Sequence, residues 1–204
     1  LGVEYFKGVR YATPPVGKLR WAPPVLYERE TSEGGEEEAN VVDATAFGAH
    51  CIQDLWPYGS EDCLFLNVFV KGRTTVGTGK PVLVFIHGGS YTTCSSKFYT
   101  GESFVDYVDG GAVVVTIEYR LNIFGFLGAD ELRTLDTASG STGNYGIQDQ
   151  RMALLWVQRN IDSFGGDPSK VTIMGESAGG GSVSNHLTMK KSWGYFDAAI
   201  IESG

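Results

Sequence analysis

Gly175-Glu-Ser-Ala-Gly179 places a serine between two glycines where the apolar segment Val171-Thr-Ile-Met174 breaks. A strand that turns sharply into a helix strains its turn residue and brings the flanking backbones close, so positions i−2 and i+2 must be small. Such a turn lifts the Ser177 hydroxyl out at the top of a sheet, where a base can reach it. The chemistry it serves is nucleophilic attack on an acyl carbonyl. A serine nucleophile also needs donors for the developing oxyanion, a base, and a group that orients the base. His87-Gly-Gly-Ser90 follows the apolar run Val82-Leu-Val-Phe-Ile86 directly. Gly88 and Gly89 can turn two main-chain N–H groups toward one point without a Cβ in the way. Ala178, at the N-terminus of the following helix, supplies a third donor. His-Gly-Gly alone fits an ordinary turn, and its pairing with the serine motif is what gives it meaning.

The base is harder to find. The chain has 3 histidines, His50, His87 and His186. His87 sits in the oxyanion turn and suits holding that loop in shape. His186 falls about two and a half turns after Ser177 on the same helix, about 13 Å along it and on the opposite side. His50 precedes a cysteine loop and fits a structural or exposed role. In a strand–turn–helix serine hydrolase the order is serine, acid, histidine. The chain ends soon after Ser177, so the acid and the histidine are expected outside it.

Composition narrows the classes. The chain has 204 residues, 42% hydrophobic and 20% charged, in keeping with a globular protein. No apolar run approaches the roughly 20 residues that a membrane helix needs. A net charge of −8 argues against nucleic acid as a partner. The acidic run Glu33-Gly-Gly-Glu-Glu-Glu38 reads as a solvated loop. Of the 3 cysteines, Cys51 and Cys63 flank a short loop containing Trp56-Pro57 and Gly59. A disulfide there would stabilise by about 3 kcal/mol in the chain-entropy model, and two unrelated buried thiols are the other reading. Cys94 is left over, as a free thiol or with a partner elsewhere. The chain opens on Leu1, which implies a removed leader or a missing N-terminal end.

The elements that must position these residues follow from pattern. Val3–Phe6, Leu64–Val70, Val82–Ile86, Ala112–Ile117, Val171–Met174 and Ala198–Ile201 read as strands. Phe104–Val108 reads as a short helix. Ile147–Phe164 carries a helical period with Ala153, Leu154, Val157, Ile161 and Phe164 on one face. Gly165-Gly166 ends it, and Asp167-Pro168 reads as the turn into the serine strand. A third helix runs from about Ala178 to Met189. Strands alternating with helices predict an α/β sheet covered on both faces.

Two segments carry a specific resemblance. Glu61-Asp-Cys-Leu-Phe-Leu-Asn-Val68 and Phe164-Gly-Gly-Asp-Pro-Ser-Lys-Val-Thr-Ile-Met-Gly-Glu-Ser-Ala-Gly-Gly180 resemble the signatures of type-B carboxylesterases, the carboxylesterase/lipase family that includes the cholinesterases. Phe6–Gly17, His87–Ser90, Tyr119-Arg120 with Gly125-Phe-Leu127, and Gly143-Asn-Tyr-Gly-Ile-Gln-Asp149 are similar to further family segments, in the family's order. The resemblance implies an α/β-hydrolase fold, with residues 1–204 as the N-terminal part of one domain and of its mostly parallel sheet. It implies Ser177 as nucleophile, Gly88, Gly89 and Ala178 as oxyanion donors, and a Cys51–Cys63 bridge. No metal or cofactor is implied. The partners implied are an ester substrate, small molecule or lipid, and the C-terminal remainder of the same protein, in the same chain or a second one. The bridge suggests secretion or the secretory-pathway lumen.

Departures stand beside these matches. Glu118 precedes Tyr119-Arg120 where the family pattern suggests Asn, and Arg10 stands where Pro is common. Trp56 falls inside the cysteine loop, and its spacing favours packing over a cation site. Glu176 could tune the field at the nucleophile or serve as a structural carboxylate. Asn144, Asp149 and Arg151 read as scaffold anchors. Phe124 and Phe126 fit an apolar gorge and core packing equally well. The reading is a serine carboxylic ester hydrolase acting through an acyl-enzyme, of carboxylesterase or lipase type, with this chain alone inactive. A non-catalytic binding or adhesion protein on the same fold is the alternative.

Overall fold

The computed structural model describes residues 2–28, 42–54, 57–72 and 76–204. The acidic run at 33–38 and Trp56 lie outside them. Among the described residues six strands form one sheet: β1 (Val3–Arg10), β2 (Phe65–Lys71), β3 (Lys80–Ile86), β4 (Val113–Ile117), β5 (Gly166–Glu176) and β6 (Ala198–Glu202), in the order β1-β2-β4-β3-β5-β6. β1/β2 and β2/β4 pair antiparallel, whereas β4/β3, β3/β5 and β5/β6 pair parallel. The continuous apolar runs fall on the central strands because a sheet covered on both faces buries every side chain.

The helices lie on the two faces. α3 (Tyr145–Asn160) and α4 (Ala178–Thr188) place Ala153, Leu154, Val157 and Val183 against Val84, Val115, Ile117 and Ile173 in the main core. On the opposite face α1 (Glu102–Tyr107) sets Val105 against Phe69 and Val114. Consecutive β4 residues Val114 and Val115 thus serve different cores, as period-two alternation requires.

Several boundaries differ from the pattern, three of them for a clear physical reason. The first strand runs on to Arg10 because Lys7-Gly8 forms a bulge, after which pairing resumes at Val9↔Leu66. Asp167-Pro168 is no turn before the serine strand. It belongs to an excursion within β5, between Lys80↔Gly166 and Val82↔Val171. Pro168 is tolerated there because bulged residues owe no N–H to the ladder. The long periodic helix ends at Asn160, and Ile161–Phe164 continue as a 3-10 turn closed by Gly165 at φ 79°. A further helix, α2 (Asn122–Phe126), is too short to show a period.

At the far edge, Ile200 and Ile201 of β6 are 42% and 44% exposed. The sheet therefore ends on an apolar strand that pairs with β5 on one side and has no strand on its outer edge among the described residues.

Candidate active site

Ser177 stands between β5 and α4 at φ 55° and ψ −121°. A non-glycine residue held there is strained, and the surroundings must enforce it. They do so by close approach. A methyl group on Gly179 would lie 2.1 Å from the Ile86 carbonyl oxygen, and one on Gly175 would lie 2.3 Å from the Gly179 carbonyl carbon. β3, β5 and the first turn of α4 therefore meet backbone to backbone, with no room for a side chain. The Ser177 N–H donates to the Glu202 carbonyl (2.8 Å), tying the elbow to β6.

The loop after β3 comes directly alongside. A methyl on Gly88 would lie 3.1 Å from Ser177 Cβ, 2.7 Å from the Glu176 carbonyl and 3.0 Å from Glu176 Oε2. Gly88 therefore borders both the nucleophile and the Glu176 carboxylate. Gly89 takes φ 98°, and its carbonyl accepts from the Thr92 and Thr93 N–H groups at 2.9 and 3.0 Å. Among the described residues, neither the Gly88 nor the Gly89 N–H donates to a main-chain carbonyl. The Ala178 N–H opens α4, where helix geometry leaves the first donors without intrahelical partners. Gly88 thus lies against Ser177, Gly89 follows it in the loop after β3, and Ala178 begins α4 directly after the serine.

His87 does not face the serine. Its ring is fully buried, stacks on Tyr119 (centroids 4.4 Å) and donates from Nδ1 to the Gly88 carbonyl (2.8 Å). Burial pushes its ionisation below the ordinary range against the opposing pull of Glu118, so the ring is neutral. Its Nε2 stands 4.0 Å from Glu118 Oε2, and neither buried atom has a hydrogen bond among the described residues. With a neutral ring that contact is not an ion pair. Glu118 Oε1 is fully used, accepting from the Ser95 hydroxyl (2.5 Å), the Ser96 N–H (2.8 Å) and the Ser96 hydroxyl (2.8 Å). The departure from Asn at this position therefore fastens the far end of the His87–Phe98 loop.

His186 is buried two turns into α4, where Nδ1 accepts from the Ser192 hydroxyl (2.9 Å) and Nε2 donates to Gln150 Oε1 (3.1 Å). The tautomer follows from Gln150, whose amide nitrogen is committed to Ser182 Oγ (3.0 Å). Burial, with the Arg151 charge adding to it, holds His186 down to about 4. It is a scaffold histidine. His50 is half-buried beside the cysteine loop, and its Nε2 is buried without a hydrogen-bond partner among the described residues.

Asp149 anchors the scaffold as expected. It accepts from Arg120 N (3.0 Å), Nε (2.8 Å) and Nη2 (2.7 Å) deep in the core. Asn144 precedes α3 at φ 56°, and Arg151 lines a shallow groove with Pro23, Pro24 and Met152. Phe124 stacks on Trp21 and Phe126 tilts against Tyr91, so both make packing pairs. Cys51 and Cys63 form a disulfide with Cα atoms 5.0 Å apart, and Cys94 is a free thiol. Arg10 pairs with Asp62 (Nη2–Oδ2 2.9 Å), tying β1 to the end of that disulfide loop.

Two further residues serve the site without a sequence motif to mark them. Gln53 and Asn122 both hold the loop after β3, the latter through Asn122 Nδ2 to the Thr92 carbonyl (3.0 Å). A polar residue two positions after Cys51 was the only sequence signal for the first. No local pattern marks the second.

The chain matches the model of the carboxylesterase family over residues 2–204. It is 41% identical to a cocaine esterase of Oryctolagus cuniculus, over 99% of this chain and 38% of that protein. It is 42% identical to the para-nitrobenzyl esterase of Bacillus subtilis (strain 168), over 100% of this chain and 40% of that protein. The crystal structure of a carboxylesterase of Geobacillus stearothermophilus at pH 6.2 superposes with a TM-score of 0.87 at 40% identity, covering 100% of this chain and 40% of that one. Aspergillus niger EstA gives 0.85 at 38% identity, covering 98% and 37%. The chain thus spans well under half the length of these relatives, and its six-stranded sheet is that of an α/β-hydrolase. On the match across its length and on its structure, the chain belongs to the carboxylesterase family.

Proposed function

We propose that the full-length protein is a serine carboxylic ester hydrolase. The observation that carries this reading is the convergence of a strained Ser177 with Gly88, 3.1 Å from Ser177 Cβ to a methyl built on that glycine. Ser177 Oγ attacks the ester carbonyl carbon while a histidine from the remainder of the protein takes its proton. The Gly88, Gly89 and Ala178 N–H groups hold the oxyanion of the tetrahedral intermediate. The same histidine returns the proton to the departing alcohol, leaving an acyl-enzyme. Water then attacks the acyl carbon and frees the acid. A triad acid from the same remainder keeps the histidine in its working tautomer.

The names of the relatives support small-molecule esters as substrates. The apolar edge of β6 supports a C-terminal remainder that continues the sheet, in the same chain or a second one. The 204-residue segment alone is expected to be inactive and unstable. The buried disulfide supports an oxidising compartment, the secretory pathway or the exterior.

The reading is tested by hydrolysis of p-nitrophenyl butyrate by the full-length protein and its Ser177→Ala variant. The variant should lose activity by about 10⁴-fold or more. Hydrolysis that persists in the variant would end the assignment.

A further inference from the structure

The loop carrying Gly88 and Gly89 is an expensive conformation. After Gly89 it holds Ser90, Tyr91 and Cys94 at φ 55°, 60° and 87°. Each left-handed non-glycine residue persists only where the surroundings over-determine it. Glu118 fixes the Ser95–Ser96 end and Asn122 the Thr92 carbonyl. The strained Thr93–Cys94 step is held by a third residue, Gln53.

Gln53 is 6% exposed and uses both ends of its amide on that step. Oε1 accepts from the Cys94 N–H (2.8 Å) and the Thr93 hydroxyl (2.9 Å). Nε2 donates to the Cys94 carbonyl (2.9 Å) and to the Cys51 carbonyl (3.2 Å). Gln53 thereby reads both main-chain groups of Cys94 as a neighbouring strand would, while remaining anchored to the disulfide loop in which it lies. The next link is steric. Thr93 packs on Gly89 so closely that a methyl there would meet the Thr93 carbonyl oxygen at 2.3 Å, and the Thr93 N–H donates back to Gly89 (3.0 Å). Any shift of Thr93 moves Gly89.

We propose that Gln53 is a positioning residue for the oxyanion donors, and that the Cys51–Cys63 disulfide serves catalysis by holding Gln53 against the Thr93–Cys94 step. This rests on the ester-hydrolase reading and adds a controlling element remote from the serine. The disulfide acts through the position of one amide, so its effect is on the transition state rather than on substrate affinity.

The test uses the full-length protein with Gln53→Met, which keeps the length and loses all four hydrogen bonds, and the double variant Cys51→Ala/Cys63→Ala. Active serines are first counted with a fluorophosphonate, so that unfolded protein does not enter the rate. The inhibition constant of a trifluoromethyl ketone, whose hemiketal carries the oxyanion, is then compared with that of a product carboxylate. Gln53→Met should lower kcat per titrated serine by about tenfold or more, with KM changed by less than about threefold. Ketone affinity should fall in parallel with kcat/KM, and carboxylate affinity should hold. The double cysteine variant should move the same quantities in the same direction, and the triple variant should be no worse than Gln53→Met. Unchanged kcat per serine and unchanged ketone affinity would overturn the proposal. So would a loss confined to the number of titratable serines, or additive losses in the triple variant. Should Gln53→Met fail to fold, Gln53→Glu provides the same readouts, since its carboxylate sets a charge against the Cys51 and Cys94 carbonyls. A wild type that neither labels nor hydrolyses esters overturns both readings, whereas an active wild type with an indifferent Gln53 overturns this one alone.

Discussion

Two backbone segments meet at Ser177, and they are held in opposite ways. The elbow at Gly175–Gly179 is fixed by exclusion, since β3, β5 and α4 approach until no side chain fits. The His87–Phe98 loop shares that tightness at Gly88 and Gly89, but from Thr92 to Ser96 it is fixed by attachment, through side chains sent from three distant places: Gln53, Glu118 and Asn122. Exclusion needs only small residues at set spacings, whereas attachment needs partners that the fold must deliver. The elbow should therefore fail abruptly under one substitution, and the loop should degrade step by step.

The largest expected effect breaks the elbow. Gly179→Ala places a methyl 2.1 Å from the Ile86 carbonyl, and backbone cannot yield as a flexible side chain would. Esterase activity should fall by about 10²-fold or more, because small displacements of reacting groups are that costly. Steady-state kinetics on titrated enzyme reads this directly, and a near-normal kcat would show the elbow to be looser than its contacts imply.

Beneath the elbow, α4 depends on His186. The native imidazole stays neutral down to about 4, whereas the unfolded chain takes up its proton near 6.5. Below pH 6.5 the unfolded state binds more protons, so stability falls between pH 6.5 and 4 and is flat for this group above 6.5. The full loss is about 3 kcal/mol. Denaturant melts of wild type and His186→Gln across that range should converge as the pH drops. Parallel curves would remove His186 from the acid response.

The loop should respond in smaller steps. Glu118→Ala leaves the Ser95 and Ser96 donors without their acceptor, which should cost about 2 kcal/mol of stability. Glu118→Gln keeps an acceptor for those donors, so it should recover most of that loss in a thermal melt. Asn122→Ala removes the side-chain bond to Thr92 and should cost about 1 kcal/mol, with a proportionate fall in kcat. A loop that lost all activity on this change would resemble the elbow, and the contrast between the two would be wrong.

The same contrast explains what was readable in the chain. Gly175, Ser177 and Gly179 are legible because exclusion leaves a local mark, small residues at fixed spacing about the serine, even where the excluding group is as distant as the Ile86 carbonyl. The central strands are legible for a related reason, since burial on both faces forces a continuous apolar run on each. Gln53 and Asn122 act across gaps that no local pattern records, the former spanning 41 positions to Cys94. Glu118 could be noticed only as a departure, and its use came from the fold that set β4 beside Ser95 and Ser96. The Asp167-Pro168 excursion was misread as a turn because a proline bulge and a strand boundary share one local signal.

The proposed role of Ser177, nucleophile of an ester hydrolase, can be tested at the residue itself. The most direct measurement is reaction of the full-length protein with a fluorophosphonate, followed by peptide mapping of the adduct and parallel assay of p-nitrophenyl butyrate hydrolysis. One adduct is expected, on Ser177, with activity lost in proportion to labelling. An unlabelled Ser177, under conditions where a control esterase reacts fully, would contradict it.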